Sequence, residues 1–254
     1  MITQQKIQHQ STSICGNKGV SMEDITSVKY DSDNPHILNA YRLEVEGKYL
    51  DAINEYLRAL EDDPSHVIVY KHIGNVYYRM GNLKKAEEYL LKAVEYLPTF
   101  PTPLFELGLT YYRQARIKKA IDYMEKVVEM DNNFLIAHYW LGILYYQYGL
   151  PCKARAKYQH VVNENPDFTI AYYHLGITNL RMGNFEEAVQ NFTKLTEVNP
   201  DSPTAHALLG EAYLNLDRKI EARRHFKIAL ELDPDDKKAK NGLFLASDHN
   251  ENVI

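Results

Sequence analysis

Ten histidines, two cysteines and 20 tyrosines are the residues of this chain best suited to site chemistry. A metal or acid–base centre would need two histidines on one helix face with a third ligand nearby. His72 and His174 stand far apart in the chain, and His36, His138 and His206 recur at a helix-packing position. Packed or surface histidines are therefore expected, and no metal site. Cys15 and Cys152 alone build neither a disulfide framework nor a zinc site, which fits a reducing compartment. Gly16-Asn17-Lys18-Gly19 is too short and wrongly ordered for a phosphate-binding loop. There is no nucleophile–base–orienter set, so the chain reads as a non-enzyme without a cofactor. The chemistry left is recognition. Twenty Tyr stand against 8 Phe and 1 Trp, an excess that needs a positional cause.

The elements that would position those rings must fit a chain of 254 residues, 45% hydrophobic and 25% charged, an ordinary globular composition. A net charge of −5 and a pI near 6.1 argue against a coat for nucleic acid or anionic membrane. Residues 1–20 carry no apolar run of signal-peptide length and few arginines, and a cytoplasmic location follows as the expectation. Residues 1–32 read as a flexible polar segment. Phe134 to Leu150 is almost wholly apolar, yet it is barely long enough to span a bilayer and lacks basic flanks. No membrane insertion is expected.

An internal repeat explains that stretch better. Ala52, Ala86, Ala120, Ala154, Ala188 and Ala222 are 34 residues apart every time. Gly74, Gly108, Gly142, Gly176 and Gly210 keep the same period, with Ala40 in the first slot. Pro64, Pro98, Pro166, Pro200 and Pro234 keep it too, with Asn132 replacing the third proline. Six copies follow, 33–66, 67–100, 101–134, 135–168, 169–202 and 203–236, and a fixed period of this size means a solenoid.

Inside the fourth copy, Ile136 to Gln147 has helical apolar spacing, Gly149-Leu150-Pro151 breaks it, and Lys153 to Asn163 resumes it. Glycine takes the left-handed cap cheaply, and a proline in a helix's first turn needs no N–H partner. Each copy is then helix A, a tight turn, helix B and a proline-marked exit. The Gly or Ala in the eighth place and the Ala in the twentieth clear space where two helices meet. A leucine there would overpack, at about 1–3 kcal/mol. Leu141, Tyr145 and Tyr158 fill the space around them.

Tyr70, Ile73-Gly74, Tyr77, Gly81, Ala86, Ala93 and Pro98 closely resemble the tetratricopeptide repeat within one copy. The resemblance covers 33–236 and implies an all-α, right-handed superhelical solenoid of six helix-turn-helix repeats. The first copy departs with His36 and Asn39, the sixth with Asp217-Arg218 at its turn, as units facing water on one side should. Residues 237–247, with Ala239 and Leu243 in register, resemble the family's C-terminal capping helix, and 248–254 reads as a tail. The two ends are too short to bury a catalytic core of their own.

In that family the A helices line a concave groove. The resemblance implies a floor of Lys71, Asn75, Tyr78 and Arg79, then Phe105, Leu109, Tyr112 and Arg113. Tyr139, Trp140, Ile143 and Tyr146 continue it, and Tyr173, Ile177 and Arg181 finish it. Lys71, Arg79, Arg113 and Arg181 oppose Glu106, so the local charge is positive in an acidic chain. Tyr, Trp and Arg are the types enriched at binding hot spots. The competing reading is plain helix packing, weightiest at Leu109, Ile143 and Ile177.

Two family subtypes are absent. The carboxylate clamp of co-chaperones needs two Lys, two Asn and an Arg over three copies; Lys71 and Asn75 match its opening pair, but Glu106, Ile136 and Trp140 stand in the other places. The asparagine ladder of the O-GlcNAc transferase repeats is replaced by His72, Glu106, Trp140, His174 and Leu208. The reading is an interaction scaffold, an adaptor gripping a partner peptide with acidic and apolar side chains. Its alternatives are self-association into a homo-oligomeric scaffold, or a targeting subunit of a separate transferase or secretion machine. Nucleic-acid binding is disfavoured. Tyr56, Tyr70, Tyr77, Tyr111, Tyr145, Tyr158, Tyr172 and Tyr213 fall at packing positions, and Tyr41, Tyr78, Tyr112, Tyr139, Tyr146 and Tyr173 at groove positions.

Overall fold

Helix ends fall where the punctuating residues lie. A computed structural model describes residues 34–64 and 66–247; the expectations for 1–32 and for 248–254 lie outside the described residues. Asn34 opens α1 (Pro35–Val45), its side chain accepting from the backbone N–H of His36 at 2.9 Å. Such a cap is worth about 1 kcal/mol. Next come α2 (Tyr49–Asp62), α3 (Ile68–Arg79), α4 (Leu83–Tyr96), α5 (Pro101–Arg113), α6 (Ile117–Met130) and α7 (Leu135–Gln147). They are followed by α8 (Pro151–Glu164), α9 (Thr169–Met182), α10 (Phe185–Val198), α11 (Pro203–Asn215), α12 (Lys219–Leu232) and α13 (Lys237–Ala246). Ser202 and Asp236 cap α11 and α13 as Asn34 caps α1. The described residues form no strand. The fold is an all-α repeat solenoid.

The turn that sequence spacing puts at Gly149 is there, with φ +83° between α7 and α8. Two equivalent turns lack glycine: Ala115 (φ 58°) and Asp217 (φ 57°) are held in the left-handed region, at a cost of about 1 kcal/mol or more for a residue with a Cβ.

Two compact units divide at Val69/Tyr70. In the first, α1 packs on α2 with Ala40 and Ala52 fully buried. Tyr56 is buried edge-on to Tyr41, ring centroids 5.9 Å apart, and its hydroxyl donates to Glu44. In the second, each helix from α4 to α13 packs on the next along the chain. The small-residue places do what spacing predicts. A Cβ added to Gly142 would lie 2.4 Å from the Tyr158 ring, and one on Gly176 2.4 Å from Phe192. Each of these B-helix rings takes the space a Cβ would need, and no larger residue fits.

Candidate functional site

Residues four and seven or eight apart share one face of a helix. On α3, α5, α7 and α9 that rule aligns Lys71, Phe105, Tyr139 and Tyr173; Asn75, Leu109, Ile143 and Ile177; then Tyr78, Tyr112 and Tyr146; and last Arg79, Arg113 and Arg181. None of these residues is buried. The three arginines are exposed, and the rest, with Trp140, are half-buried. Leu109 and Ile143 pack on the core below, as does Ile177 on its own cluster, so those three serve the stack as well as the face.

The rings form a connected surface. Tyr112 meets Trp140 edge-on at 5.3 Å, and Trp140 meets Tyr139 at 6.3 Å. His174 bridges onward, 5.6 Å from Tyr139 and 5.1 Å from Tyr173. Phe105 is backed by Phe134 at 5.2 Å. The cations lie on this surface. Arg113 stacks over Tyr78 at 4.6 Å and donates to its carbonyl at 2.8 Å. Arg181 stacks over Tyr146 at 5.0 Å. Stacked guanidinium groups are pre-ordered, so less entropy is lost when a carboxylate arrives.

Glu106 differs from its reading as an opposing surface charge. Its Oε1 accepts from Asn75 Nδ2 at 2.7 Å, while Oε2 is buried without a hydrogen-bond partner among the described residues. Burial pushes its carboxyl up to about 7, against the pull of Lys71 and Asn75. Near neutral pH this group is partly protonated, so the face is more positive than the sequence count implies. Sequence reasoning also passed over Gln147, whose Nε2 donates to the Tyr112 hydroxyl at 3.1 Å, and the bridging role of His174. Their register, in line with the arginines and with Trp140, was the available signal.

His138 and His206 are packing groups. His138 Nε2 donates to the Asn132 carbonyl at 3.0 Å, and its ring lies 4.2 Å from His160. His206 Nε2 donates to the Pro200 carbonyl at 2.9 Å. Burial lowers His72 to about 3 and His138 to about 4. Among the described residues no three His, Cys, Asp or Glu converge as metal ligands.

Family models of the tetratricopeptide repeat match residues 45–81, 67–100, 102–134 and 173–237. The chain belongs to the tetratricopeptide repeat family. Among solved structures it is similar to YrrB, described as a TPR protein with an unusual peptide-binding site. The identity is 24% over 73% of this chain and 96% of that one, with a TM-score of 0.68. It is also similar to MamA, at 28% identity over 68% and 94% of the two chains with a TM-score of 0.63. A tetratricopeptide repeat protein from Parabacteroides merdae aligns at 18% identity over 83% and 97%, TM-score 0.60. A comparison with curated proteins finds no match. This tetratricopeptide repeat fold is a protein-interaction scaffold. No helix among the described residues is long and apolar enough to cross a membrane.

Proposed function

We propose that the chain is a non-enzymatic adaptor that holds a partner peptide along the A-helix face of α3, α5, α7 and α9. The observation that carries the reading is the connected, half-exposed run Tyr112–Trp140–Tyr139–His174–Tyr173, flanked by exposed Arg79, Arg113 and Arg181. Rings with polar tips would grip apolar side chains, and the arginines would take Asp or Glu bidentately. Rigid helices presenting those groups cost little ordering entropy on binding. A sequence with only two cysteines favours a reducing, cytoplasmic setting.

A random peptide library selected on the full chain tests this. Enriched peptides should combine Asp or Glu with apolar residues and change the emission of Trp140, the single tryptophan. A Tyr139→Ala, Arg113→Glu, Arg181→Glu variant with unchanged helical content should bind them at least about tenfold more weakly. Selected peptides that bind this variant as well as the wild type would sink the reading.

A further inference from the structure

One helix pair breaks the aromatic pattern of its neighbours. At intervals of 34 residues stand Tyr77, Tyr111, Tyr145, Asn179 and Tyr213. Three of these tyrosines are covered by a second ring. Tyr77 lies 5.6 Å from Tyr89, Tyr111 5.2 Å from Tyr123, and Tyr213 5.6 Å from His225. Lys85, Lys119 and Lys153, in one register, sit over Tyr77, Tyr111 and Tyr145 at 4.9 to 5.2 Å. In α9 and α10 the tyrosine and its ring partner become Asn179 and Asn191, and Glu187 stands in the lysine register, as Glu221 does beside Tyr213. A cleft of about 570 Å³ opens there between α8 and α10, with Tyr172 and Asn179 of α9 among its lining. No residue of the proposed peptide-binding face lines it.

The far end of the missing ring has changed chemistry too. Tyr111 donates its hydroxyl to Glu87 at 3.0 Å, and Tyr145 donates to Glu125. In those two registers α8 carries Arg155 and Gln159, both lining the cleft. Where Glu87 of α4 and Glu125 of α6 receive a hydroxyl, α8 offers a guanidinium and an amide. Arg155 makes no ion pair among the described residues. Asn191 Nδ2 is tied to the Glu187 carbonyl at 2.6 Å, which leaves its Oδ1 as an acceptor. Asn179 Oδ1 accepts from Asn184 at 3.4 Å, which leaves its amide hydrogens as donors. Lys194 pairs with Glu197 at 2.7 Å and lines the cleft as well.

We propose that this cleft binds a planar ring carrying one acidic group, a carboxylate or a phosphate. The ring takes the space of the absent tyrosine, and the acid meets Arg155 and, beside it, Gln159. Glu187 in the same wall disfavours a bare polyanion. The ligand chemistry has two sources, a free aryl acid or a phosphorylated tyrosine side chain on a protein segment.

The full chain carrying Cys15→Ser would be titrated with phenyl phosphate, benzoate, benzyl alcohol and inorganic phosphate. Side-chain amide NMR signals and the alkylation rate of Cys152, an exposed cysteine in the cleft lining, give two readouts. Phenyl phosphate or benzoate should saturate and slow alkylation, while benzyl alcohol and inorganic phosphate bind at least about tenfold more weakly. Asn179→Tyr should restore the ring, raise the melting temperature and abolish binding; Arg155→Gln should keep the fold and weaken binding about tenfold or more. A phosphotyrosine peptide that binds tighter than phenyl phosphate assigns the site to a protein segment, and equal affinity assigns it to a small molecule. Either supports the site. Failure of every probe to saturate below about 10 mM, inorganic phosphate binding as tightly as phenyl phosphate, or unchanged binding by Asn179→Tyr would each overturn it.

Discussion

Two sets of tyrosines divide the labour of this molecule. Tyr56, Tyr77, Tyr111, Tyr145 and Tyr158 are buried, whereas Tyr78, Tyr112, Tyr139, Tyr146 and Tyr173 are half-exposed on the A helices. The residue type is the same, and only its place in the 34-residue register differs. Buried rings fill the space over a glycine, as Tyr158 does, or anchor a hydroxyl to a charged side chain, as Tyr111 does with Glu87 and Tyr77 with Lys85. Half-exposed rings touch one another and the stacked arginines. The contrast teaches that stability and recognition are carried mainly by different registers of one repeat, which meet where Tyr139 lies 6.1 Å from Tyr158.

The largest effect expected is at the buried register. Tyr158→Ala removes the ring that fills the space over Gly142 and should cost about 3–5 kcal/mol in urea unfolding. Tyr139→Ala, one face away, should cost only about 1–2 kcal/mol while weakening peptide binding. Equal losses from the two would break the comparison.

Glu106 sits between the two registers, and its pH signature sharpens the boundary. Its carboxyl stands near 7 when folded against an ordinary 4.5. Between those values the folded chain holds a proton that the unfolded chain has released. The stability from this group is therefore full below about pH 4.5 and is lost as pH rises through 7. Relative to Glu106→Gln, the wild type should lose on the order of 1–3 kcal/mol across that window, read from denaturant midpoints at matched pH. His72 acts in the opposite direction. Held near 3 against an ordinary 6.5, it contributes stability above pH 6.5 that is lost as pH falls toward 3. A flat Glu106→Gln difference would show the carboxyl to be solvated and the boundary misplaced.

The smallest effect belongs to neither register. Ala115→Gly relieves a left-handed backbone and should raise stability by about 1 kcal/mol, visible as a higher melting temperature with peptide binding unchanged.

Much of the fold was legible because a repeat states its packing rule six times. Gly142, Ala154 and Pro151 each announce a close approach or a break, and the helices end beside them. Partial exposure of Tyr112, Tyr139 and Trp140 followed from the same register. Glu106 was not legible, because its burial depends on Asn75 of the preceding copy reaching across to it, and a one-dimensional pattern carries no depth. The cleft beside Asn179 was half legible. The tyrosine column shows the interruption, but the loss of a ring becomes a cavity only when Arg155, Glu187 and Asn191 fail to refill it.

The packing of each helix from α4 to α13 on the next also sets how this part of the chain comes to be folded. Contacts join residues a few dozen positions apart, so no long loop must close before stabilising contacts form, and folding should be fast for the chain's size. Growth can start from any adjacent pair and extend in either direction. On the ribosome the earlier pairs can settle while the later ones are still being made, so synthesis itself can order the steps of folding.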